Sequence, residues 1–301
     1  MVRFAGLLFL LLIAPAVFVH AQMTSAEATP IQVKELRPNL FLVTGGSPNT
    51  GGSATTVVFV RSTDVVVIDT KGPRPWWGNT IADEVKRLTK LPITTIINTS
   101  GAGDHVGGNI ALVNSKIEII AHERAAADMR KMTLMFTKAT GGGLPTRTFK
   151  DRLTVGTGPD RLELYYFGAG HCHGDIFVTI PALRVLLTGD AFGGKFLPAL
   201  ARNSGGDGVE YPNTLTKALS LTREIDTIIT GHSGGVAKPQ DLEVHRDFIR
   251  DFLENTRQAK KAGKTATAAA KAWKVPSRYA GYEAEPGRVV GAMEWIYRQL
   301  P

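Results

Sequence analysis

Two stretches, Asn98-Thr99-Ser100-Gly101-Ala102-Gly103-Asp104-His105 and Gly168-Ala169-Gly170-His171-Cys172-His173-Gly174-Asp175, carry the pattern on which the fold is read. Each follows a short strand-like run, Ile93–Ile97 in the first case and Leu162–Phe167 in the second, and each sets a histidine among glycines. Two further stretches repeat the arrangement. Leu187-Thr188-Gly189-Asp190 overlaps the end of the run Val185–Thr188, and Gly231-His232-Ser233-Gly234-Gly235 follows Thr227–Thr230. Loops that leave strand ends converge on one edge of a sheet, so Asp104, His105, His171, Asp190 and His232 are expected to meet there. Imidazole nitrogen and carboxylate oxygen are donors that zinc accepts, and glycine lets loop backbones approach closely. Taken singly the signals are weak, because Asp104 also suits a helix N-cap and either loop histidine could be held by an ordinary hydrogen bond. Their order and context carry the weight.

Outward from these loops, the first half of the chain alternates strands and helices. Ile31–Leu36, Leu40–Thr44, Thr55–Val60, Val65–Asp69 and Ile117–Ala121 read as strands, and Asn79–Thr89, Asn109–Val113 and His122–Phe136 as helices. Gly45–Ser53 reads as a loop. Thr140–Pro145 is a glycine-rich break. Strands are expected at Leu153–Val155 and Ile176–Ile180, and helices at Asn213–Thr222, Asp241–Gln258, Thr265–Trp273 and Arg288–Leu300. Two strand-rich halves, each followed by helices, imply an α/β chain in which two sheets pack face to face with helices outside, an αββα sandwich.

The order of these loops closely resembles the metallo-β-lactamase superfamily over about residues 36–235. The resemblance rests on Val67-Ile68-Asp69-Thr70 after a strand, the loop Asn98–Asn109, Gly170-His171, Thr188-Gly189-Asp190 and Gly231-His232. It implies a metal site at Asp104, His105 and His232, with Asp190 bridging toward a second site that keeps His171. It also implies hydrolysis of a small carbonyl substrate through a metal-bound hydroxide. Where the family reads His-x-His-x-Asp-His, this chain reads Ser100-Gly101-Ala102-Gly103-Asp104-His105. Both leading histidines are missing, and a serine hydroxyl beside one histidine is a poor donor set. The expectation is therefore one ion, zinc first, with iron or manganese also suited to a mixed Asp/His set.

Asp104 or His171 is expected to act as general base or orienting group, and Asp69 to orient a ligand or to cap a turn. His173, two positions from His171, has the direction needed to rebuild the missing site, whereas Cys172 should point away. The alternative is a non-catalytic member that binds a ligand or partner in a degraded metal cleft. Trp76-Trp77 is expected in a loop, packed against the neighbouring helix or walling a pocket. His122 and His245 are expected at the surface or at helix caps, and Trp273, Tyr279, Tyr282 and Trp295 against the main domain.

The ends and the composition bound the setting. Met1-Val2-Arg3, the apolar run to Val19 and Val19-His20-Ala21 form a signal-peptide pattern with a cut before Gln22. The expected organisation is thus a signal peptide at 1–21, the metallo-β-lactamase-like domain at 22–262, and a helical extension at 263–301, with a periplasmic or secreted location. The net charge of +8 is spread along the chain. The densest basic cluster, Arg257–Lys264, belongs on a solvated helix, so a small-molecule substrate is expected and not a nucleic acid. Cys172 is the only cysteine, so no disulfide braces the chain and stability must come from the core.

Overall fold

The computed structural model describes residues 31–46, 54–72, 76–114, 116–132, 142–232 and 234–301. The expected signal peptide, most of the Gly45–Ser53 loop and the distal end of the His122–Phe136 helix lie outside the described residues.

The first half forms a seven-stranded sheet in chain order, β1 (Gln32–Arg37), β2 (Leu40–Thr44), β3 (Thr56–Val60), β4 (Val65–Ile68), β5 (Ile93–Ile97), β6 (Glu118–His122) and β7 (Arg147–Phe149). The first three pairings are antiparallel hairpins. From β4 onward the pairings are parallel. Parallel pairing requires crossovers. These are α1 (Trp76–Leu88) between β4 and β5, the short turns α2 (Gly103–Val106) and α3 (Asn109–Leu112) between β5 and β6, and α4 (Glu123–Lys131) after β6. The second half forms a six-stranded sheet from β8 (Arg152–Val155), β9 (Leu162–Tyr165), β10 (Phe177–Ile180), β11 (Val185–Leu187), β12 (Thr227–Ile229) and β13 (Val236–Ala237). There β11 and β12 run parallel, linked by α5 (Tyr211–Ala218). Helices α6 (Pro239–Lys261), α7 (Ala266–Ala272) and α8 (Pro286–Gln299) follow.

The sequence pattern accounts for the layers. Val57, Val66, Ile68 and Ile97 from the first sheet meet Leu164, Val178, Ile180 and Leu187 from the second in one dry cluster. The alternate residues Val58, Val65, Val67 and Ile96 face outward onto Ile81 and Val85 of α1. A strand covered on both faces must be apolar throughout, and Val65–Ile68 is buried at all four positions. Each such side chain contributes about 1.5–3 kcal/mol on full burial. The outer face of the second sheet carries Phe177, Leu186 and Ile228 against Tyr211, Leu242, Phe248, Phe252, Met293 and Ile296 of the helical layer. The result is the expected αββα sandwich.

Two expectations need correction here, and two strands were not foreseen. Helix α1 begins at Trp76, so the tryptophan pair is helical and not in a loop. The reason is that Trp77 lies four residues before Ile81 and continues the buried stripe, while Trp76 faces outward. Next, His245 is neither at the surface nor at a cap. It is 1% exposed, stacked on Phe192 and 6.0 Å from the Tyr282 ring. Finally, β7 and β13 escape sequence reading because they are short and carry no apolar β-branched run, so only their pairing with β6 and β12 makes them strands.

Candidate metal centre

Four strand-end loops deliver the predicted side chains to one place. Asp104 and His105 sit on α2 after β5, His171 on the loop between β9 and β10, Asp190 in the turn after β11, and His232 after β12. The two sheets are joined there directly. Ala54 forms a single antiparallel bridge with His232, and the Thr55 amide donates to the Gly231 carbonyl. Close backbone approach explains the glycines. A Cβ on Gly231 would lie 2.4 Å from the Gly189 carbonyl oxygen, and Gly189 itself has φ of +48°.

Asp190 is the hub. Its Oδ1 lies 3.1 Å from His105 Nε2 and 2.8 Å from His232 Nε2, and its Oδ2 lies 3.4 Å from His171 Nδ1. The donor atoms of Asp104, His105 and His232 all fall within 4.8 Å of one another, and Asp104 Oδ2 is 3.7 Å from His232 Nε2. Asp69 holds His105 from behind. Its Oδ2 is 2.7 Å from His105 Nδ1 and accepts from Thr99 Oγ1 at 2.6 Å, while Oδ1 accepts from the Thr99 amide at 2.8 Å. With a proton on Nδ1 directed at Asp69, the Nε2 lone pair points toward Asp190, an acceptor facing an acceptor. A second proton on Nε2, or a cation in its place, resolves the conflict. Burial opposes a charge on His105, yet the neighbouring carboxylates of Asp190, Asp69 and Asp104 hold its pKa well above the ordinary value. Burial likewise works against ionised Asp190, but His105 and His171 hold its pKa well below the usual range. The donor chemistry therefore fits a divalent ion.

The missing half of the site is equally clear. Ser100 is fully buried, and its Oγ accepts from the Ala102 amide at 3.2 Å. A Cβ on Gly101 would come within 2.9 Å of the Ala125 carbonyl, so α4 presses on this loop. His173 does not rebuild the site. Its Nε2 lies 2.7 Å from Asp128 Oδ2 on α4, because the tight turn at Gly170–Gly174 breaks the alternation that extended chain would have kept. Cys172, expected to point away, sits with its sulfur in a trio with His171 and Asp175 whose donor atoms lie within 4.8 Å of one another. Asp175 has a structural task in that trio. It accepts from the Cys172 amide at 2.9 Å and from its thiol at 2.8 Å. Burial, ahead of the Asp175 charge, pushes the Cys172 pKa well up, so the sulfur stays a thiol. His122 caps α4, accepting from the Arg124 amide, and is buried against Tyr166.

Two residues near the centre escaped sequence reading. Lys71 is fully buried with φ of +57°, and its ammonium donates to the carbonyls of Ala54 and Gly45. Burial lowers its pKa to about 8. It pins the segment that bridges to His232. Its signal was its place two residues after Asp69, where a lysine would otherwise be taken for a surface charge. The other is Phe196, whose ring lies 6.3 Å from His232. Nothing local in the sequence marks it.

The model of a family described as the metallo-beta-lactamase superfamily matches residues 49–232. A metallo-beta-lactamase type 2 of Bacteroides fragilis is 26% identical over 164 residues, which is 54% of this chain and 62% of that protein. The chain thus spans less than two thirds of that relative. A metallo-beta-lactamase type 2 of Bacillus sp. (strain 170) is 24% identical over 68% of this chain and 77% of its own length. Among solved structures, the TMB-1 structure covers 73% of this chain at 19% identity with a TM-score of 0.60. The sec-alkylsulfatase Pisa1 from Pseudomonas sp. covers 89% of this chain, and 50% of its own, at 15% identity with a TM-score of 0.70.

Proposed function

This chain belongs to the metallo-beta-lactamase superfamily, and from that premise we propose that it is an exported metal-dependent hydrolase of a small carbonyl substrate (a lactone, ester, thioester or β-lactam) that works with a single ion, zinc first. The observation that carries the reading is the convergence of Asp104, His105 and His232 with Asp190, against a buried Ser100 and a lone His171 on the other side. Asp104, His105 and His232 would hold the ion and Asp190 would complete the set. A bound zinc ion would acidify a water and polarise the substrate carbonyl.

The protein's own groups supply the rest. Asp69 fixes the His105 ring through Nδ1 and so presents Nε2 to the centre. His171 Nδ1 is buried without a hydrogen-bond partner among the described residues, 3.4 Å from Asp190. It is available to take a proton or to orient a substrate oxygen. Asp104 is partly exposed at the mouth and can serve as base. Export rests on the signal-peptide pattern of residues 1–21, and no described helix is long and apolar enough to cross a membrane.

Elemental mass spectrometry of the dialysed mature protein tests the metal count. About one zinc per chain supports the reading, which then requires that a screen of lactones, esters, thioesters and β-lactams finds turnover. Asp104→Ala should lose metal and turnover together. Hydrolysis that survives loss of the metal would sink the proposal. The second reading, a non-catalytic binding cleft, is favoured by one observation, the Ser100 hydroxyl already engaged in its own loop. Absence of zinc even after its addition would move the weight there.

A further inference from the structure

The helical extension does more than cover the second sheet. The segment ahead of α8 is stitched to the loop after Asp190. Phe196 and Glu283 form a parallel bridge, the Leu197 amide donates to the Glu283 carbonyl at 2.8 Å, and the Glu283 amide donates to the Lys195 carbonyl at 3.0 Å. Glu285 then caps α8 by accepting from the amides of Gly287 and Arg288. This fixes where the first turn of α8 stands, and the Arg288 guanidinium comes to lie 5.3 Å over the Phe196 ring. Phe196 in turn lies against the backbone of Gly193 and Gly194 and 6.3 Å from His232, nearly edge-on. A Cβ on Gly193 would sit 3.1 Å from Phe196 Cζ and 3.3 Å from His232 Cδ2. Arg288, Phe196 and His232 therefore form a row of contacts toward the candidate metal centre, and Arg288 is no farther from the His232 ring than these two spans laid end to end.

The neighbouring cations are engaged. Lys195 pairs with Asp241 at 3.0 Å, and Arg202 donates to the Gly291 carbonyl and approaches Glu294. Arg288 makes no ion pair within 4.0 Å among the described residues; the Glu285 carboxylate, bonded to the amides that open α8, is the acid that feels its charge. A guanidinium can lie over an aromatic face and still offer its N–H fork to a carboxylate. Building on the hydrolase reading above, we propose that Arg288, contributed from outside the stretch that matches the family, residues 49–232, is a specificity-determining residue. It binds a compact oxyanion, a carboxylate, carried by the substrate a short chain away from the bond that is cleaved.

The test compares mono-4-nitrophenyl adipate with its methyl ester on the zinc-loaded full-length mature protein and on Arg288→Ala and Arg288→Lys. For the acid, KM should rise about fivefold in Arg288→Ala with kcat little affected, the range of a solvent-exposed charge pair. The preference for acid over methyl ester should fall by the same factor, with Arg288→Lys between. If the esters are hydrolysed and the preference does not move, the Arg288 proposal is overturned and the hydrolase reading stands. If neither ester is hydrolysed, the hydrolase reading loses its support, and calorimetric titration of adipate into the same proteins decides Arg288 separately. Binding that weakens about fivefold in Arg288→Ala supports it. No binding by the parent, or equal binding by both, overturns it.

Discussion

Replacing His245 by Leu should make the protein lose stability less steeply as the pH falls. His245 is buried between Phe192, Tyr211 and Tyr282, its Nδ1 3.5 Å from the Tyr282 hydroxyl and its Nε2 without a partner among the described residues. No acid faces it. Burial alone pushes its pKa down from 6.5 to about 3. The folded protein therefore keeps this ring neutral while the unfolded chain takes up a proton below about pH 6.5. A depressed folded-state pKa means that stability is intact above the unfolded value and is lost as the pH falls, at up to 1.36 kcal/mol per unit. Between pH 7 and pH 5 the loss assignable to His245 is about 2 kcal/mol, and it does not depend on the lower value because the folded ring is still uncharged at pH 5. That is a large share of a typical folding free energy of roughly 5–15 kcal/mol. Urea unfolding followed by circular dichroism at pH 7, 6 and 5, on chelator-treated wild type and His245→Leu, isolates the effect from metal release. The difference between the two proteins should shift by about 2 kcal/mol in favour of the variant on going from pH 7 to 5. Parallel curves would refute the reasoning and mean that water or a rearrangement lets the buried ring charge.

Three further outcomes follow from the site and its supports. Asp69→Asn should weaken zinc binding about 10–100-fold in a chelator competition, since the His105 ring loses the carboxylate that fixes it; an unchanged affinity would reduce Asp69 to a capping role for Thr99. The double variant Ser100→His with Ala102→His should raise the metal content toward two ions per chain if only the donors are missing, whereas a content that stays at one would locate the obstacle in the packing of α4 on Gly101. Gly205→Ala should cost more than about 1 kcal/mol in thermal or urea unfolding, because Gly205 has φ of +62° and its new methyl would lie 2.5 Å from His173 Nδ1; a neutral effect would show that the His173 loop yields easily.

The sheets and the five converging side chains were legible because strong local signals coincide with the tertiary requirement. Val65–Ile68 and Ile93–Ile97 are β-branched where the sandwich buries both faces, and each chemical residue sits within a few positions of a strand end. Elements whose existence depends on a distant partner were not legible. Val236–Ala237 is a strand only because Ile228 and Ile229 pair with it. The direction of His173 depends on Asp128 in another helix, and the burial of His245 depends on a tail that returns more than thirty residues later. Lys71 shows the same limit in reverse, because a lysine carries no sequence mark of being fully buried. Its environment comes from carbonyls seventeen and twenty-six residues away.

The attachment of α8 to the loop of residues 201–208 has one more consequence. Trp295 and Gln299 both donate to the Gly206 carbonyl, the Gly208 amide donates to Gln299, and the Ala201 amide donates to the carbonyl of His171. Lys260 closes the far end by donating to the carbonyls of Tyr297, Leu300 and Pro301. The wall beside His171 is thus anchored by a helix that follows it by 89 to 93 residues in the chain. A nascent chain can complete both sheets and gather the loops of its candidate metal centre before this wall has anything to rest on. The surroundings of His171 are consequently completed only when α8 docks, and a change in α8 would be felt there before it was felt in the sheets.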